Sequence, residues 1–314
     1  MIFSFIPRPE GAGRIPISSM PKTIICYGEA LWDCLPNGLF FGGAPMNAAF
    51  HLRRFGADAW PLTCVGRDFL GDEATERMAA AGLPPDLIHR HDSLPTGTVK
   101  VKIDARGNAS YSILEPVAWD RIPVDEQAAA LADKADAVIY GTLAQRGEFN
   151  RGEITKLLAR DSLFKIYDVN LRPPYDDLDL VQELARPADL LKLNEEELFC
   201  LLPVESRNVP LKNAARLLRD RIGVRRICVT RAEKGAAFLD EGEWLVAEGR
   251  KVTVRDTVGA GDGFLAAFTA NYLAKSGSSR EILEIACRFG EFIATRDGAV
   301  PPYNPKEWIL DRTQ

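Results

Sequence analysis

Short apolar runs alternate with helical patterns along almost the whole chain, and this alternation limits the possible folds more than any other feature. Six runs have the length and composition of buried strands: 24–28, 60–65, 137–141, 165–170, 190–194 and 226–230. Helical stretches separate them, as in successive βα units. The sequence therefore predicts an α/β fold with a mainly parallel sheet.

Two helices are clearly marked at their ends. The segment 45–55 opens with a proline and is followed by Gly56, an asymmetry that is typical of helices. Near the C-terminus, Ser278 and Glu281 form a capping-box pattern. We expect this last helix to run to about Ala294.

Two segments break the βα alternation. The stretch W-D-C-L-P-N-G-L-F-F at 32–41 places Asn37 and Gly38 between apolar flanks, a strong hairpin pattern. The segments 98–104 and 109–114 alternate apolar and polar residues around a second turn at Arg106–Gly107. We predict that the two ribbons form a small antiparallel sheet projecting from the body. Its apolar face would cover either a substrate or a second copy of the chain.

Charge, cysteines and histidines narrow the classes of partner and compartment. A formal net charge of -5 offers no basic surface for nucleic acid or an anionic membrane, so small-molecule partners are expected. No apolar stretch approaches the length needed to cross a bilayer. Six cysteines without a C-x-x-C pair favour a reducing, cytoplasmic compartment. His51, His89 and His91 match no metal-ligand spacing, and we interpret each as a packing or surface residue.

The chain shows no linker that would demand a second independent domain. Residues 1–21 are rich in glycine and proline, and we expect a flexible leader there. One domain would then span 22–314, with lid segments near 32–43 and 95–119.

The stretch D-T-V-G-A-G-D-G-F at 256–264 leads directly into an apolar helical pattern. Glycines let backbone amides approach an anion at a helix N-terminus, where unpaired N–H groups and the helix dipole favour negative charge. The glycine spacing differs from the Rossmann fingerprint, and the chain contains no P-loop sequence. Asp262 could simply complement the helix dipole. Directly after an anion-binding turn, its carboxylate is also suited to accept the proton of a hydroxyl that attacks a phosphoryl group.

This stretch resembles the C-terminal signature of the ribokinase-like (phosphofructokinase-B type) carbohydrate kinases. The segment G-G-A-P-M-N-A-A-F-H-L-R-R-F-G at 42–56 resembles their N-terminal signature, and N-E-E-E at 194–197 their N-x-x-E element. The three matches stand in the family's order over roughly residues 22–303. The resemblance implies a three-layer α/β/α fold in which the two ribbons form a lid over the sugar. Because such lids often pair two subunits, we expect a homodimer formed through the lid.

The resemblance also implies roles on the acceptor side of the site. Asp262 would be the catalytic base. The backbone groups that would bind the transferring phosphoryl group belong to Gly259, Ala260 and Gly261. Asp33 would bind sugar hydroxyls, although a hairpin-edge role is the alternative, and Asn47 would also contact the sugar. Gly42 and Gly43 resemble the di-glycine hinge of the lid, or are ordinary turn glycines.

On the nucleotide side, the resemblance implies ATP, Mg²⁺ and a monovalent cation. Lys192 would contact the nucleotide, and Asn194 and Glu197 would organise water and Mg²⁺ around its phosphates. Both residues of the N-x-x-E element could instead be solvated residues at a helix start. Asp256 and the carbonyl of Val258 would help to bind K⁺, together with carbonyls of the later T-R-D-G-A loop.

A second nucleotide element departs from the family pattern. Thr230 and Gly235 resemble the T-x-G-x-x-G sequence, but Ala232 replaces its middle glycine. The departure affects the expected geometry of the ATP site rather than its existence.

The sequence D-V-N-L-R-P-P at 168–174 narrows the acceptor. It follows a predicted strand, where α/β sheets place ligands, and it supplies Asp168, Asn170 and Arg172. It resembles an element of fructokinases and 2-keto-3-deoxygluconate kinases, in which Asn170 would face the sugar and Arg172 the phosphates or the sugar. A structural salt bridge is the alternative role for Arg172. G-T-L-A-Q-R and P-T-G-T-V also resemble fructokinase sequences.

The predicted function is an ATP-dependent sugar kinase, with fructose converted to fructose 6-phosphate as the leading reaction. Kinases of another sugar, such as 2-keto-3-deoxygluconate or ribose, remain open. Two other classes are a nicotinamide-dependent oxidoreductase and a non-catalytic sugar-binding regulator. The late position and spacing of the glycines disfavour the first, and the presence of Asp262 within a complete anion turn disfavours the second.

Overall fold

Strands and helices alternate through the part of the chain that the computed structural model describes, which comprises residues 21–35, 38–103, 109–304 and 308. The strands are β1 (Thr23–Tyr27), β2 (Leu31–Leu35), β3 (Gly38–Gly42), β4 (Asp58–Gly66), β5 (Ile88–His91), β6 (Gly97–Ile103), β7 (Ala109–Ile113), β8 (Ala137–Gly141), β9 (Phe164–Asp168), β10 (Leu190–Asn194), β11 (Arg226–Thr230), β12 (Ala236–Asp240) and β13 (Glu243–Ala247). The helices are α1 (Ala44–Arg54), α2 (Phe69–Ala80), α3 (Glu126–Ala132), α4 (Glu148–Leu158), α5 (Leu178–Ala185), α6 (Glu195–Cys200), α7 (Leu211–Ile222), α8 (Ala260–Ala274) and α9 (Ser279–Ala294).

The main sheet contains nine strands within the described ranges, in the order β13-β12-β11-β10-β9-β8-β1-β4-β5. Neighbours from β11 to β5 pair in parallel, whereas β12 and β13 form an antiparallel edge. The six apolar runs correspond to β1, β4, β8, β9, β10 and β11. The predicted α/β fold with a mainly parallel sheet is therefore confirmed.

Two hydrophobic clusters lie on opposite faces of this sheet, because successive side chains of a strand point to opposite sides. In β1, Ile25 and Tyr27 belong to one cluster, which includes side chains of α3 to α7. Ile24 and Cys26 belong to the other, which includes side chains of α1, α2, α8 and α9. The molecule thus has the expected three-layer α/β/α arrangement.

The lid is a second sheet with the order β3-β2-β6-β7. Strands β2 and β3 pair antiparallel, as do β6 and β7. The two ribbons join along a parallel pair, β2 with β6, in which Leu31 faces Gly97. The predicted turn residues Asn37, Arg106 and Gly107 lie outside the described residues, as do 1–20 of the predicted leader.

Helices α1 and α9 have the ends that the sequence indicates. Helix α1 has proline in its first turn, and Gly56 beyond its end has a φ of 85°. Helix α9 starts at a capping box formed by Ser278 and Glu281 and ends at Ala294. Across the described part of the chain, no helix combines the length and the apolar character that a membrane crossing would require.

Candidate active site

The predicted site residues gather at the carboxyl edge of the central strands. Asp168, Asn194 and Thr230 are the last residues of β9, β10 and β11. The parallel register places Lys192 beside Asp168 and Asn194 beside Thr230. Because parallel strands end at one edge of the sheet, residues far apart in sequence share one cleft.

The glycine-rich turn forms the N-terminus of α8. Gly259 is the N-cap, with a φ of 76°, a backbone conformation that glycine adopts without the steric cost of a side chain. A Cβ atom at Gly259 would lie 2.4 Å from the Cα atom of Ala299, so glycine also permits close packing there. The amide of Gly263 donates to the Gly259 carbonyl over 2.8 Å. The amides of Gly261 and Asp262 lie in the first turn, where a helix offers no carbonyl partner and negative charge is favoured.

Asp262 extends from this turn and is held by helix α1. The side-chain amide of Asn47, itself buried, donates to Oδ2 of Asp262 over 2.8 Å. Burial raises the pKa of Asp262, and the negative charge of Asp168 acts in the same direction. The hydrogen bond from Asn47 and the positive charge of Lys192 oppose this rise. Asp262 is thus a proton acceptor of increased basicity in a fixed orientation.

A buried ion pair lies directly beside the turn. Nζ of Lys192 lies 2.9 Å from Oδ1 of Asp168, and both side chains are almost completely buried. Burial lowers the pKa of Lys192, but the carboxylates of Asp168 and Glu197 outweigh it and the net shift is upward. A Cβ atom at Gly261 would lie 3.3 Å from this ammonium group. The lysine charge therefore lies against the first turn of α8.

The N-x-x-E element forms a capping box at the start of α6. Oδ1 of Asn194 accepts from the Glu197 amide, and Oε2 of Glu197 accepts from the Asn194 amide, each over 2.8 Å. Oε1 of Glu197 accepts from the amide of Leu171, also over 2.8 Å. Burial raises the pKa of Glu197. The element thus ties the end of β10 to the loop after β9.

That loop carries Asn170 and Arg172. Asn170 has a φ of 40°, a left-handed conformation that asparagine tolerates better than most residues. Arg172 is exposed and donates to the Leu171 carbonyl over 2.9 Å. Its charge lowers the pKa values of both Asp262 and Asp33 against the effect of burial. Arg172 is therefore within electrostatic reach of the body and of the lid.

The predicted acceptor side of the cleft lies where β2 and β3 meet α1. Asp33 is half-buried on β2, and burial raises its pKa. A Cβ atom at Gly42 would lie 3.2 Å from Oδ2 of Asp33, so the carboxylate rests on the end of β3. Gly43 is the N-cap of α1 with a φ of 112°, and an added Cβ would lie 2.1 Å from the Glu29 carbonyl oxygen. The two glycines thus lie at the junction between lid and body.

The structure adds Glu29 to the site. Its side chain is 4% exposed, and Oε1 accepts from the Ala44 amide at the start of α1 over 3.2 Å. Burial raises the pKa of Glu29 to about 7. It lines a small cavity with Gly141, Asp168 and Asn170. The sequence feature that could have indicated Glu29 is an acid directly after the first strand, in G-E, where α/β sheets place ligands.

Thr230 ends β11, the neighbour of β10, and Gly235 directly precedes β12. Oγ1 of Thr230 donates to the Leu193 carbonyl over 3.5 Å. Gly235 has a φ of 86° and packs against the Ala247 carbonyl, where a Cβ would lie at 2.1 Å. Ala232, which replaces the expected glycine, has a φ of 48°. The alanine therefore adopts the left-handed conformation that glycine would adopt with less strain.

The residues predicted to bind a monovalent cation lie behind the anion turn. Oδ1 of Asp256 accepts from the Val258 amide, and Oδ2 accepts from the Gly298 amide, each over 3.0 Å. The carboxylate thus links the start of the turn to the loop 295–299. These are the two segments to which the resemblance assigns the cation, and the structure places them in contact.

The chain is similar to known proteins in both sequence and fold. The family model described as "pfkB family carbohydrate kinase" matches residues 23–307. A deoxyribokinase of Salmonella typhi is 26% identical over 271 residues, which cover 83% of this chain and 84% of that protein.

Two solved structures share the fold. The structure of a fructokinase from Xylella fastidiosa with bound ATP has a TM-score of 0.79 and 24% identity, and the match covers 93% of this chain and 99% of that chain. A fructokinase double mutant from Vibrio cholerae O395, bound to fructose, ADP and a potassium ion, has a TM-score of 0.79 and 19% identity, with 93% and 98% covered. The family model spans most of the sequence, and its agreement with the fold leads to one conclusion: the chain belongs to the pfkB family of carbohydrate kinases.

Proposed function

We propose that the protein transfers the γ-phosphoryl group of ATP to a hydroxyl group of a sugar, with the C6 hydroxyl of fructose as the first candidate acceptor. The observation that carries the proposal is the carboxylate of Asp262, held by Asn47 at the N-terminal turn of α8 and close to the Lys192 ammonium. A base, unpaired amides and a fixed cation are the components that phosphoryl transfer needs.

In the proposed mechanism, Asp262 accepts the proton of the sugar hydroxyl as that oxygen attacks the γ-phosphorus. Backbone amides at Gly259, Ala260 and Gly261 would bind the oxygens of the transferring group, where negative charge is favoured at the start of α8. The Ala260 amide would do so in place of its 3.3 Å bond to the Thr257 carbonyl. Lys192 and Arg172, whose charges both act on Asp262, would add positive charge. Asp33, Asn47 and Asn170 would bind and orient the sugar while the lid excludes water.

Mg²⁺ would supply charge neutralisation at the phosphates. Within residues 21–35, 38–103, 109–304 and 308, no group of three or more His, Cys, Asp or Glu side chains could hold a metal ion. We therefore propose that phosphates and water provide most of the ligands. Asn194 and Glu197 would contact that water, since each carboxylate oxygen of Glu197 keeps a lone pair beyond its one amide bond.

The nucleotide would extend from the anion turn along the ends of β10 and β11. Lys192 lies near the phosphate end, and Thr230 and Gly235 border the next part of the sheet edge. The Xylella fastidiosa fructokinase, which has this fold, was solved with bound ATP, and the Vibrio cholerae double mutant with fructose, ADP and a potassium ion. We propose the same type of nucleotide here, with K⁺ held by Asp256, the Val258 carbonyl and the loop 295–299. Equal activity in K⁺ and in a large organic cation would contradict the K⁺ site.

We also propose a cytoplasmic homodimer that forms through the lid. Among its described residues, the lid leaves four large apolar side chains 36% to 49% exposed: Leu35, Leu39, Phe40 and Leu114. Leu35 and Phe40 lie on the same face of the β2–β3 ribbon as Asp33, and Leu39 lies on the opposite face. Exposed apolar side chains on so small a sheet favour a surface that another chain covers. The cysteines of the described residues are all free, as in a reducing compartment. A monomeric mass by light scattering at micromolar concentration would contradict the dimer.

The acceptor is tested with a coupled assay of ADP release over a panel of sugars. The panel includes fructose, ribose, 2-deoxyribose, 2-keto-3-deoxygluconate and phosphorylated sugars, and Asp262→Asn serves as the matched inactive control. The expected result is turnover with at least one sugar, highest kcat/KM with fructose, and none above background with the control. No turnover with any sugar would contradict the proposed activity. Preference for another sugar would exclude fructose as the acceptor and leave the proposed kinase activity standing.

A further inference from the structure

Helix α1 presents a row of polar side chains toward the C-terminal part of the chain. Asn47, His51 and Arg54 follow each other at intervals of four and three residues, so they lie on one face of the helix. Asn47 holds the base Asp262. Arg54 donates to the Tyr303 carbonyl over 2.9 Å. The middle member, His51, has no role in the function proposed above.

His51 is completely buried, and both of its ring nitrogens have partners. Nε2 lies 2.9 Å from the carbonyl oxygen of Ala299, and Nδ1 lies 3.0 Å from the hydroxyl oxygen of Tyr303. A carbonyl oxygen can only accept, so Nε2 carries the proton and Nδ1 accepts from the Tyr303 hydroxyl. Burial lowers the pKa of His51 to about 4, in agreement with a neutral ring.

The residue that His51 holds is the one on which the anion turn rests. A Cβ atom at Gly259 would lie 2.4 Å from Cα and 2.5 Å from Cβ of Ala299, so the two backbones are in direct contact. The preceding residue, Gly298, donates to Asp256 at the other end of the turn. Residues 298–299 therefore support the turn from behind, and His51 fixes them to α1.

We propose that His51 is a positioning residue for phosphoryl transfer. Through Nε2 it holds residues 298–299 against Gly259, so that helix α1 fixes the anion turn and the base Asp262 in one frame. Asn47 sets the position of the base and His51 sets the position of the turn. Since proton acceptor and anion site must keep their spacing, this frame determines kcat. The kinetic consequence rests on the proposed kinase activity.

Two amide substitutions separate the two hydrogen bonds. In His51→Gln the terminal amide occupies the place of Nε2 and can donate to Ala299. In His51→Asn the shorter amide occupies the place of Nδ1 and reaches toward Tyr303 alone. We expect His51→Gln to keep kcat within ~3-fold of wild type and His51→Asn to lose about 10-fold, since a displacement of about 1 Å can cost up to 10²-fold. The acceptor KM should change less than kcat in both variants.

Tyr303→Phe is the matched control, because it removes the Nδ1 partner and leaves the bond to Ala299. Its kcat should stay within ~2-fold of wild type even if its Tm falls, because loss of a hydrogen bond alone affects stability rather than turnover of the folded enzyme. Equal losses of kcat in His51→Asn and Tyr303→Phe, or wild-type kcat in a folded His51→Asn, would overturn the proposal.

A second readout needs no acceptor sugar. Amide hydrogen exchange over residues 255–261, followed by mass spectrometry, reports whether the turn is held. We expect faster exchange in His51→Asn, and wild-type exchange in His51→Gln and Tyr303→Phe. Unchanged exchange in His51→Asn would overturn the proposal. If wild-type protein phosphorylated no sugar, the function proposed above would fail, and this exchange pattern would still decide the structural role of His51.

Discussion

The two sides of the cleft differ in how their functional groups are held. On the body side, Asp262 is bound by Asn47 and Lys192 by Asp168, through contacts between residues 215 and 24 positions apart in the chain. On the lid side, Asp33 lies on β2, whose neighbour β3 leaves Leu39 and Phe40 about half exposed. The body side, where we propose phosphoryl transfer, is therefore held by buried contacts, whereas the proposed acceptor side depends on a sheet that exposes apolar side chains on both faces. The type of reaction proposed at Asp262 is therefore easier to infer than the sugar that binds beside Asp33.

The largest expected effect follows from removing the base. Asp262→Asn keeps the size of the side chain and can still accept from Asn47, but the amide cannot accept a proton. We expect kcat to fall by at least ~10²-fold with little change in Tm. The matched control is Asp179→Asn, an acid in the first turn of α5. If Asp262 only complemented the helix dipole, both variants would keep nearly normal kcat.

The second prediction concerns the buried ion pair. Lys192→Met leaves the Asp168 carboxylate buried without its partner, and we expect a loss of about 3–5 kcal/mol in the free energy of unfolding. Arg67→Met removes the exposed pair with Asp92, whose atoms lie 2.6 Å apart, and should cost about 1 kcal/mol or less. Urea unfolding of both variants measures the difference. Similar losses would show that the body side is no more tightly built than the surface.

The third prediction uses the pH dependence of kcat/KM. Asp262 must be ionised to act as a base, so activity falls as the pH drops through its pKa. The N–H group of Asn47 stabilises the carboxylate and lowers this pKa. Asn47→Ala should therefore move the acid limb of the profile to higher pH, whereas Asn213→Ala on the exposed face of α7 should not. An unchanged acid limb in Asn47→Ala would show that another group limits the rate.

The smallest effect is expected in the nucleotide loop. Ala232 has a φ of 48°, so Ala232→Gly should raise the free energy of unfolding by up to about 1 kcal/mol through relief of backbone strain. Ala130→Gly is the control, because Ala130 lies exposed inside α3, where replacement of alanine by glycine should cost about 0.5–1 kcal/mol. Destabilisation by both substitutions would mean that the loop is not strained at Ala232.

Features set by residues close in sequence are predictable, and features set by contacts between distant segments are not. Helix α1, the capping box of α9 and the anion turn were predictable because residues close in sequence determine them. The N-x-x-E element was less clear from sequence, since the same residues cap a helix and could face phosphate-bound water.

The remaining features depend on contacts between distant segments. Neither the link between His51 and Ala299 nor the burial of Glu29 under α1 leaves a local pattern, because each depends on how separate βα units pack. The sequence also could not reveal that the two lid ribbons join through a parallel pair of strands. Register between distant strands is set by tertiary packing rather than by turn residues.

The division of labour between body and lid can be tested in one experiment. Calorimetric titration of the preferred sugar into Asp262→Asn and Asp33→Asn, with kcat measured on the same samples, separates chemistry from acceptor binding. We predict that Asp262→Asn binds the sugar within ~3-fold of wild type while its kcat falls at least ~10²-fold. For Asp33→Asn we predict that sugar binding weakens by about 10-fold, because a charge-assisted hydrogen bond is lost, with a smaller change in kcat at saturation. Loss of sugar binding in Asp262→Asn, or a collapse of kcat with intact sugar binding in Asp33→Asn, would contradict this division of labour.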